Sequence, residues 1–162
     1  LAKKLSISKS VNSPHSLLGI SCLANDYRLL YFASKSLGMG FAKLPDLPLY
    51  GKTNKLGDFS FYEYYDEISH LHYYLFANKS QGHIAVPAYR HFDYFLLIDE
   101  SIDEPFQSEL LNKLRRIPIL QAAMHIPLKS LKNLDHLLED IELHLIDIQK
   151  ERKKKIGLWK AK

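Results

Sequence analysis

The chain has 162 residues, 46% hydrophobic and 25% charged, with a formal net charge of +4, enough for one domain to bury roughly 70% of its unfolded surface without a disulfide or a metal. Its single cysteine, Cys22, excludes an intramolecular disulfide framework and the common four-ligand zinc modules, and points to a reducing cytoplasm. No apolar run approaches the roughly 18 residues that span a bilayer, and residues 1–15 lack the charged-then-apolar order of a secretory signal, so membrane and secreted classes are not expected.

Along the chain, Leu5, Ile7, Lys9 and Val11 alternate with Lys4, Ser6, Ser8 and Ser10, the period of a half-buried strand. Ser13 and Pro14 have the pattern of a helix N-cap and first helical position. Ile20, Leu23, Tyr27, Leu30 and Leu37 then follow at helical spacing up to Gly38, which suits a helix C-terminus. Gly19 weakens the start of such a helix; the alternative is a start near Asn25 or Asp26 with residues 17–21 extended. Pro45 and Pro48 place Phe41 to Tyr50 on a sheet edge or partly in a loop, and 51–57 reads as a polar loop. From Asp58 two aromatic runs split by Asp66, Glu67, Ile68 and Ser69 predict a hairpin.

Residues 79–91 read as an irregular connection around Gly82 and Pro87. Phe92 to Ile98 is apolar on both faces except for Asp93, as in a central strand. A helix begins at Ile102 to Glu104, with Pro105 tolerated in its first turn and Phe106, Leu110, Leu111 and Leu114 as its buried stripe. Pro118 and Pro127 bracket Ile119 to Ile126, where a continuous helix would lose two hydrogen bonds at roughly 3 kcal/mol each, so this run is expected to be a strand. Ser130 then caps a last helix in which Leu131, Leu134, Leu138, Ile141, Leu145 and Ile148 recur at heptad spacing. The order β-α-β-β-β-β-α-β-α predicts an α+β fold: a mixed, mostly antiparallel sheet with helices on one face, a ferredoxin-like split β-α-β variant plus a long C-terminal helix. Residues 1–130 are expected to form the single domain, 131–153 the amphipathic helix and 154–162 a basic tail.

Charge is unevenly spread. Residues 150–162 carry Lys150, Arg152, Lys153, Lys154, Lys155, Lys160 and Lys162 against Glu151, leaving the body at −2. The body thus lacks the spread of basic charge expected of a nucleic-acid surface, and Arg152, Lys153, Lys154 and Lys155 are the candidate polyanion contacts. Leu1 in first position implies a non-methionine start or a trimmed terminus.

Val86, Pro87, Ala88, Tyr89, Arg90, His91, Phe92, Asp93 and Tyr94 have the spacing of the signature of the IPExxxVDY family, small bacterial proteins, and the chain resembles that family over roughly residues 5–130. Leu17 to Phe32, "LLGISCLANDYRLLYF", is similar to the family's "IGIS…DYRL" segment, and Asp93 to Asp99 and Ile117 to Ile126 also fit. Val86 stands for the family's Ile, Phe92 for its Val and Ala88 for its Glu, so a catalytic role of that glutamate cannot operate here. The resemblance implies a domain boundary and no assigned chemistry; Pro87, Asp93 and Tyr94 are the motif residues present.

Two imidazoles on one strand face, His70 and His72, with Glu63 or Asp66 across the hairpin, are the best metal-ligand grouping, but no spacing fixes a third ligand. No P-loop, dinucleotide fingerprint, H-E-x-x-H or nucleophile elbow is present. Cys22 has the surroundings of a buried, inert thiol. Hairpin aromatics (Phe59 and Phe61 on one face, Tyr62 and Tyr64 on the other) could stack single-stranded bases or fill a core or interface. Asp93, in an otherwise apolar row, needs hydrogen-bond donors, expected from the amides of 87–91. These features predict a non-enzymatic, cytoplasmic protein-interaction domain without cofactor or metal. It is expected to form a homo-oligomer through Leu131, Leu134, Leu138, Ile141, Leu145 and Ile148. The alternative is a ligand-binding or single-stranded nucleic-acid-binding module using the aromatic face and basic tail.

Overall fold

Ser16 to Cys22 forms the first strand, β1, of the computed structural model, which describes residues 15–51 and 54–160. The strand expected over Lys4 to Val11 and the Ser13–Pro14 cap lie outside the described residues. Helix α1 (Asp26–Leu37) begins after Asn25 and ends at Gly38, whose φ of 69° is the left-handed conformation glycine adopts without strain. Of the two readings of this region, the later helix start with an extended 17–21 holds. The helical spacing of Ile20 and Leu23 was coincidental, because β1 is buried on both faces and shows no alternation.

Strand β2 (Ala42–Tyr50) accommodates Pro45 and Pro48 as a sheet edge, with register shifts between Leu44 and Leu47, across Pro45, and between Leu49 and Tyr50. The hairpin of β3 (Lys55–Asp66) and β4 (Leu71–Ala77) follows. Within the 79–91 connection lie a two-stranded ribbon, β5 (Lys79–Ser80) and β6 (His83–Ile84), and a 3-10 turn at Pro87–Tyr89. Strand β7 (Tyr94–Ile98) is central and fully buried. Asp103 caps α2 (Glu104–Arg115) by accepting from Phe106 N–H at 2.9 Å, and β8 (Leu120–Ile126) precedes the last helix, α3 (Leu134–Lys160).

The six long strands lie in the order β2-β3-β4-β7-β1-β8, and each neighbouring pair is antiparallel. Expected as mixed and mostly antiparallel, the sheet has no parallel pair among the described residues. Its two faces carry separate cores. On one, α1 and α2 bring Leu29, Leu110, Leu111 and Leu114 onto Leu18, Leu75 and Leu96. On the other, Ile141 and Ile148 of α3 pack with Phe59, Phe61, Phe76 and Phe95. Helices therefore lie on both faces, where cover on one face was expected. No helix among the described residues is long and apolar enough to cross a membrane.

Two details depart from expectation. Ser130 does not cap the last helix: it closes a 3-10 turn at Leu128–Ser130, and α3 starts at Leu134 and runs unbroken through 154–160, the stretch expected as a tail. Phe92, expected to open the central strand, instead ends a turn (its N–H donates to Tyr89 O at 3.1 Å) two residues before the strand begins, and its ring joins the core of Phe95, not that of Tyr94. There its ring lies on Gly19: a Cβ at residue 19 would sit 2.7 Å from it. Gly19→Ala is expected to cost about 1–3 kcal/mol by overpacking. Adding Phe92→Val should recover much of that loss, and denaturant midpoints of the four-member cycle check the coupling.

Burial pushes the phenols of Tyr73 and Tyr74 up to about 12, and raises Tyr62 and Tyr94 further, Tyr62 also through its hydrogen bond to Asp26. A raised phenol pKa means the folded state holds the proton longer than the unfolded chain does, so this contribution is complete below about pH 10 and is lost as pH rises through the folded values. Alkaline unfolding monitored by circular dichroism should coincide with a late class of tyrosine ionisation, read by phenolate absorbance.

Candidate functional site

Asn78 follows β4 immediately and is fully buried, where an amide must find partners for every donor and acceptor. It finds five. Its backbone N–H donates to Asp93 O (2.8 Å) and its carbonyl accepts from Ala85 N–H (2.7 Å). The side-chain Nδ2 donates to Tyr89 O (3.0 Å) and Phe92 O (2.8 Å), and Oδ1 accepts from Val86 N–H (2.8 Å). The motif segment 85–93 is thus wrapped around one side chain. A lone Asn in "FANKS" reads as a loop residue, and only its position directly after a buried strand could have signalled this.

Asp93 is held elsewhere than expected. Its Oδ2 accepts from Cys22 N–H at 2.8 Å and its Oδ1 from Lys79 Nζ at 3.0 Å, while its own N–H donates to Ile20 O at 2.8 Å. No amide of 87–91 is among these partners, because Asn78 already holds that loop. Tyr94 is buried and its hydroxyl donates to Ala24 O at 3.2 Å. The motif therefore ties β7 to the end of β1 and to the segment before α1. Cys22 is buried, and burial raises its thiol pKa, opposite to what a nucleophile requires.

Pro87 opens the 3-10 turn and faces the start of α3. Ala85, Pro87, Asn133 and Leu137 are shared by two adjoining clefts of about 310 and 380 Å³. Leu131 and Leu134 wall the first; Leu49, Leu56, His136 and Asp140 wall the second. Asp140 Oδ2 accepts from Tyr50 N–H at 3.0 Å. Ser130 donates its hydroxyl proton to Pro127 O (2.6 Å) and so accepts from Tyr89 OH (2.6 Å), which anchors the motif turn beside the helix.

The heptad residues face their own sheet: Leu134, Ile141 and Ile148 are buried, and Leu131, Leu138 and Leu145 pack half-buried against the same core. The opposite side of α3 exposes Leu143 (54%) and Ile146 (41%). Arg152 Nη2 pairs with Glu63 at 3.0 Å and Lys154 with Glu151 at 3.7 Å, while the side chains of 150–157 are exposed. Most hairpin rings are core: Phe59, Phe61, Tyr62, Tyr73 and Phe76 are buried, Tyr64 and Tyr74 half-buried, and Tyr65 beside the turn is exposed. Tyrosines in solvent beside a cation occur on α1 instead, where Lys35 Nζ donates to Tyr31 OH at 3.2 Å. His70 bonds Tyr65 OH through Nδ1 (3.0 Å), Asp66 is occupied by Ser69 and Ile68, and no group of three or more metal-ligating side chains converges among the described residues.

The chain matches no family model, no curated protein and no solved structure.

Asn78→Ala should strand two buried carbonyls and one amide and destabilise the fold by about 3 kcal/mol. Asn78→Asp should be no milder, since a carboxylate oxygen would face the carbonyls of Tyr89 and Phe92. Asp93→Ala, which strands the Cys22 amide alone, should cost about 1–3 kcal/mol. Chemical denaturation of the three variants orders them.

Proposed function

We propose that this chain is a non-catalytic protein-interaction domain that self-associates. The observation that carries the reading is the outer side of α3, where two large aliphatic side chains, Leu143 and Ile146, stand in solvent one turn apart, opposite a fully used inner stripe. Burying a leucine or isoleucine is worth about 1.5–3 kcal/mol. The titratable groups around the motif are occupied in holding backbone: Asp93 on Cys22 N–H, Tyr94 on Ala24 O. That supports a structural role for Asp93 and Tyr94 over an acid–base one.

The inner four strands, in the order β4-β7-β1-β8 with α1 following β1 and α2 following β7, support the finer reading of a ferredoxin-like split β-α-β unit, extended at one edge by β3 and β2. The two segments that resemble the IPExxxVDY family, Leu17 to Phe32 and Val86 to Tyr94, meet at Phe92 on Gly19 and Asp93 on Cys22. Their meeting supports membership of that family and makes the motif a packing signature. A second reading, binding of a small apolar ligand, is favoured by the two clefts beside Pro87.

Sedimentation velocity on the full chain over a micromolar concentration series is expected to show a rise in weight-average mass. Ile146→Glu, which leaves the inner stripe untouched, should return the chain to monomer with unchanged circular dichroism. A monomer at every concentration would reject self-association.

A further inference from the structure

Helix α3 is divided by charge along its length and carries two aliphatic residues on its outer side. Its first half carries Asp135, Glu139, Asp140, Glu142 and Asp147 with no Lys or Arg; its second half, from Lys150, carries Lys150, Arg152, Lys153, Lys154, Lys155 and Lys160 against Glu151. At 100° per residue, Glu139, Leu143, Ile146 and Lys150 fall on one line, spaced by four, three and four, directly opposite Leu134, Ile141 and Ile148. All four of the outer residues are exposed.

A surface acidic at one end, basic at the other and apolar in the middle complements itself when turned end for end. We propose that α3 is the self-association surface and that a second copy of this chain docks on it antiparallel, about a two-fold axis between residues 144 and 145. This deepens the self-association reading and rests on it. In that register Leu143 of one copy packs on Ile146 of the other, Glu139 faces Lys150, and Asp135 falls level with Lys154 and beside Lys153, each contact occurring twice by symmetry. Parallel docking would set each half against its like and is disfavoured by the same charges. The contact runs about five turns of helix, which is smaller than a standard interface of about 800 Å² per partner. Association is accordingly of micromolar strength and salt-sensitive, since the charged pairs at its ends are exposed.

The test is a charge exchange between two exposed positions, read by sedimentation equilibrium on the full chain, with thermal melts as the folding control. Glu139→Lys alone and Lys150→Glu alone should each weaken the homodimer tenfold or more, because each places like charges opposite one another twice. The double variant should regain wild-type affinity, and an equimolar mixture of the two single variants should form a heterodimer although neither pairs with itself. Raising salt from about 50 to 500 mM should weaken the wild type severalfold. A dimer that persists in both single variants and is indifferent to salt would overturn this pairing and leave self-association standing. A chain monomeric at every concentration would overturn both, and salt-sensitive binding of an oligonucleotide by that monomer would assign the basic half to a polyanion instead.

Discussion

The constraint on which the molecule turns is the buried amide of Asn78. A side chain with two donors and an acceptor, enclosed between the end of β4 and the start of β7, has to be satisfied by backbone, and the backbone it finds is the 85–93 connection. Everything local follows. Holding Val86 N–H and the carbonyls of Tyr89 and Phe92 sets the 3-10 turn, and the turn decides which face receives the Phe92 ring. The ring can lie flat on β1 only because residue 19 has no Cβ. One residue later Asp93 reaches the Cys22 amide, where the register between β1 and β8 slips. Three separated stretches of chain are thereby fixed together by hydrogen bonds and one close approach, in a region where hydrophobic burial alone has no directional preference.

A sheet buried on both faces needs two sets of covering elements, and the chain supplies them unequally. The α1 and α2 side is closed by short helices that follow β1 and β7 directly, with Tyr62, Tyr73 and Tyr94 in the packing and Tyr62 and Tyr94 spending their hydroxyls on Asp26 and Ala24 O. The other side carries the fully buried phenylalanines, which have no polar atom to satisfy, and is closed by one long helix that arrives last. That helix reaches beyond what the sheet needs. Its inner stripe ends at Ile148, while the helix continues to Lys160 as a cationic rod fastened to β3 by the Arg152–Glu63 pair. An exposed pair contributes little to stability, so the length of the rod has no explanation within the fold of a single chain.

Much of this architecture was legible, and the reasons differ by element. Pro105 in the first turn of α2, the aromatic hairpin and the proline-bracketed β8 carry local chemistry that survives into the structure unchanged. The proline-bearing β2 was legible as an edge for the same reason, since Pro45 and Pro48 cannot donate to a further strand. What failed to show was non-local. β1 lost its alternation by being buried on both sides, so Ile20 and Leu23 mimicked a helical period. Asp93 was rightly read as needing donors, but the Cys22 amide is 71 residues away in sequence, and spacing cannot reveal it. Asn78 carried no signal except its place after a buried strand. The heptad was visible, yet periodicity alone does not say whether a stripe faces its own sheet or a second chain; that depended on the phenylalanines of β3, β4 and β7 needing cover.

The edges of the sheet bear on how copies of the chain can meet. β2 is blocked by its prolines and by α3 lying along it, with His144 Nε2 within 2.8 Å of Pro45 O. β8, at the other end, has no proline within it, and its side chains are short at Ala122 and Ala123, the profile of an edge open to strand addition. One of its outward acceptors is taken. Ile20, opposite Ala123, spends its carbonyl on Asp93 N–H, toward β7. The pair Ile20–Ala123 is therefore a non-hydrogen-bonded one, and the Ala123 carbonyl points outward. Arg115, at the end of α2, turns back and donates to that carbonyl from both Nε (3.1 Å) and Nη2 (2.8 Å). The guanidinium fork thus occupies one outward acceptor near the middle of β8. With α3 lying along β2 and its inner stripe spent on the sheet, its outer side is left carrying an aliphatic pair in solvent between charges of opposite sign.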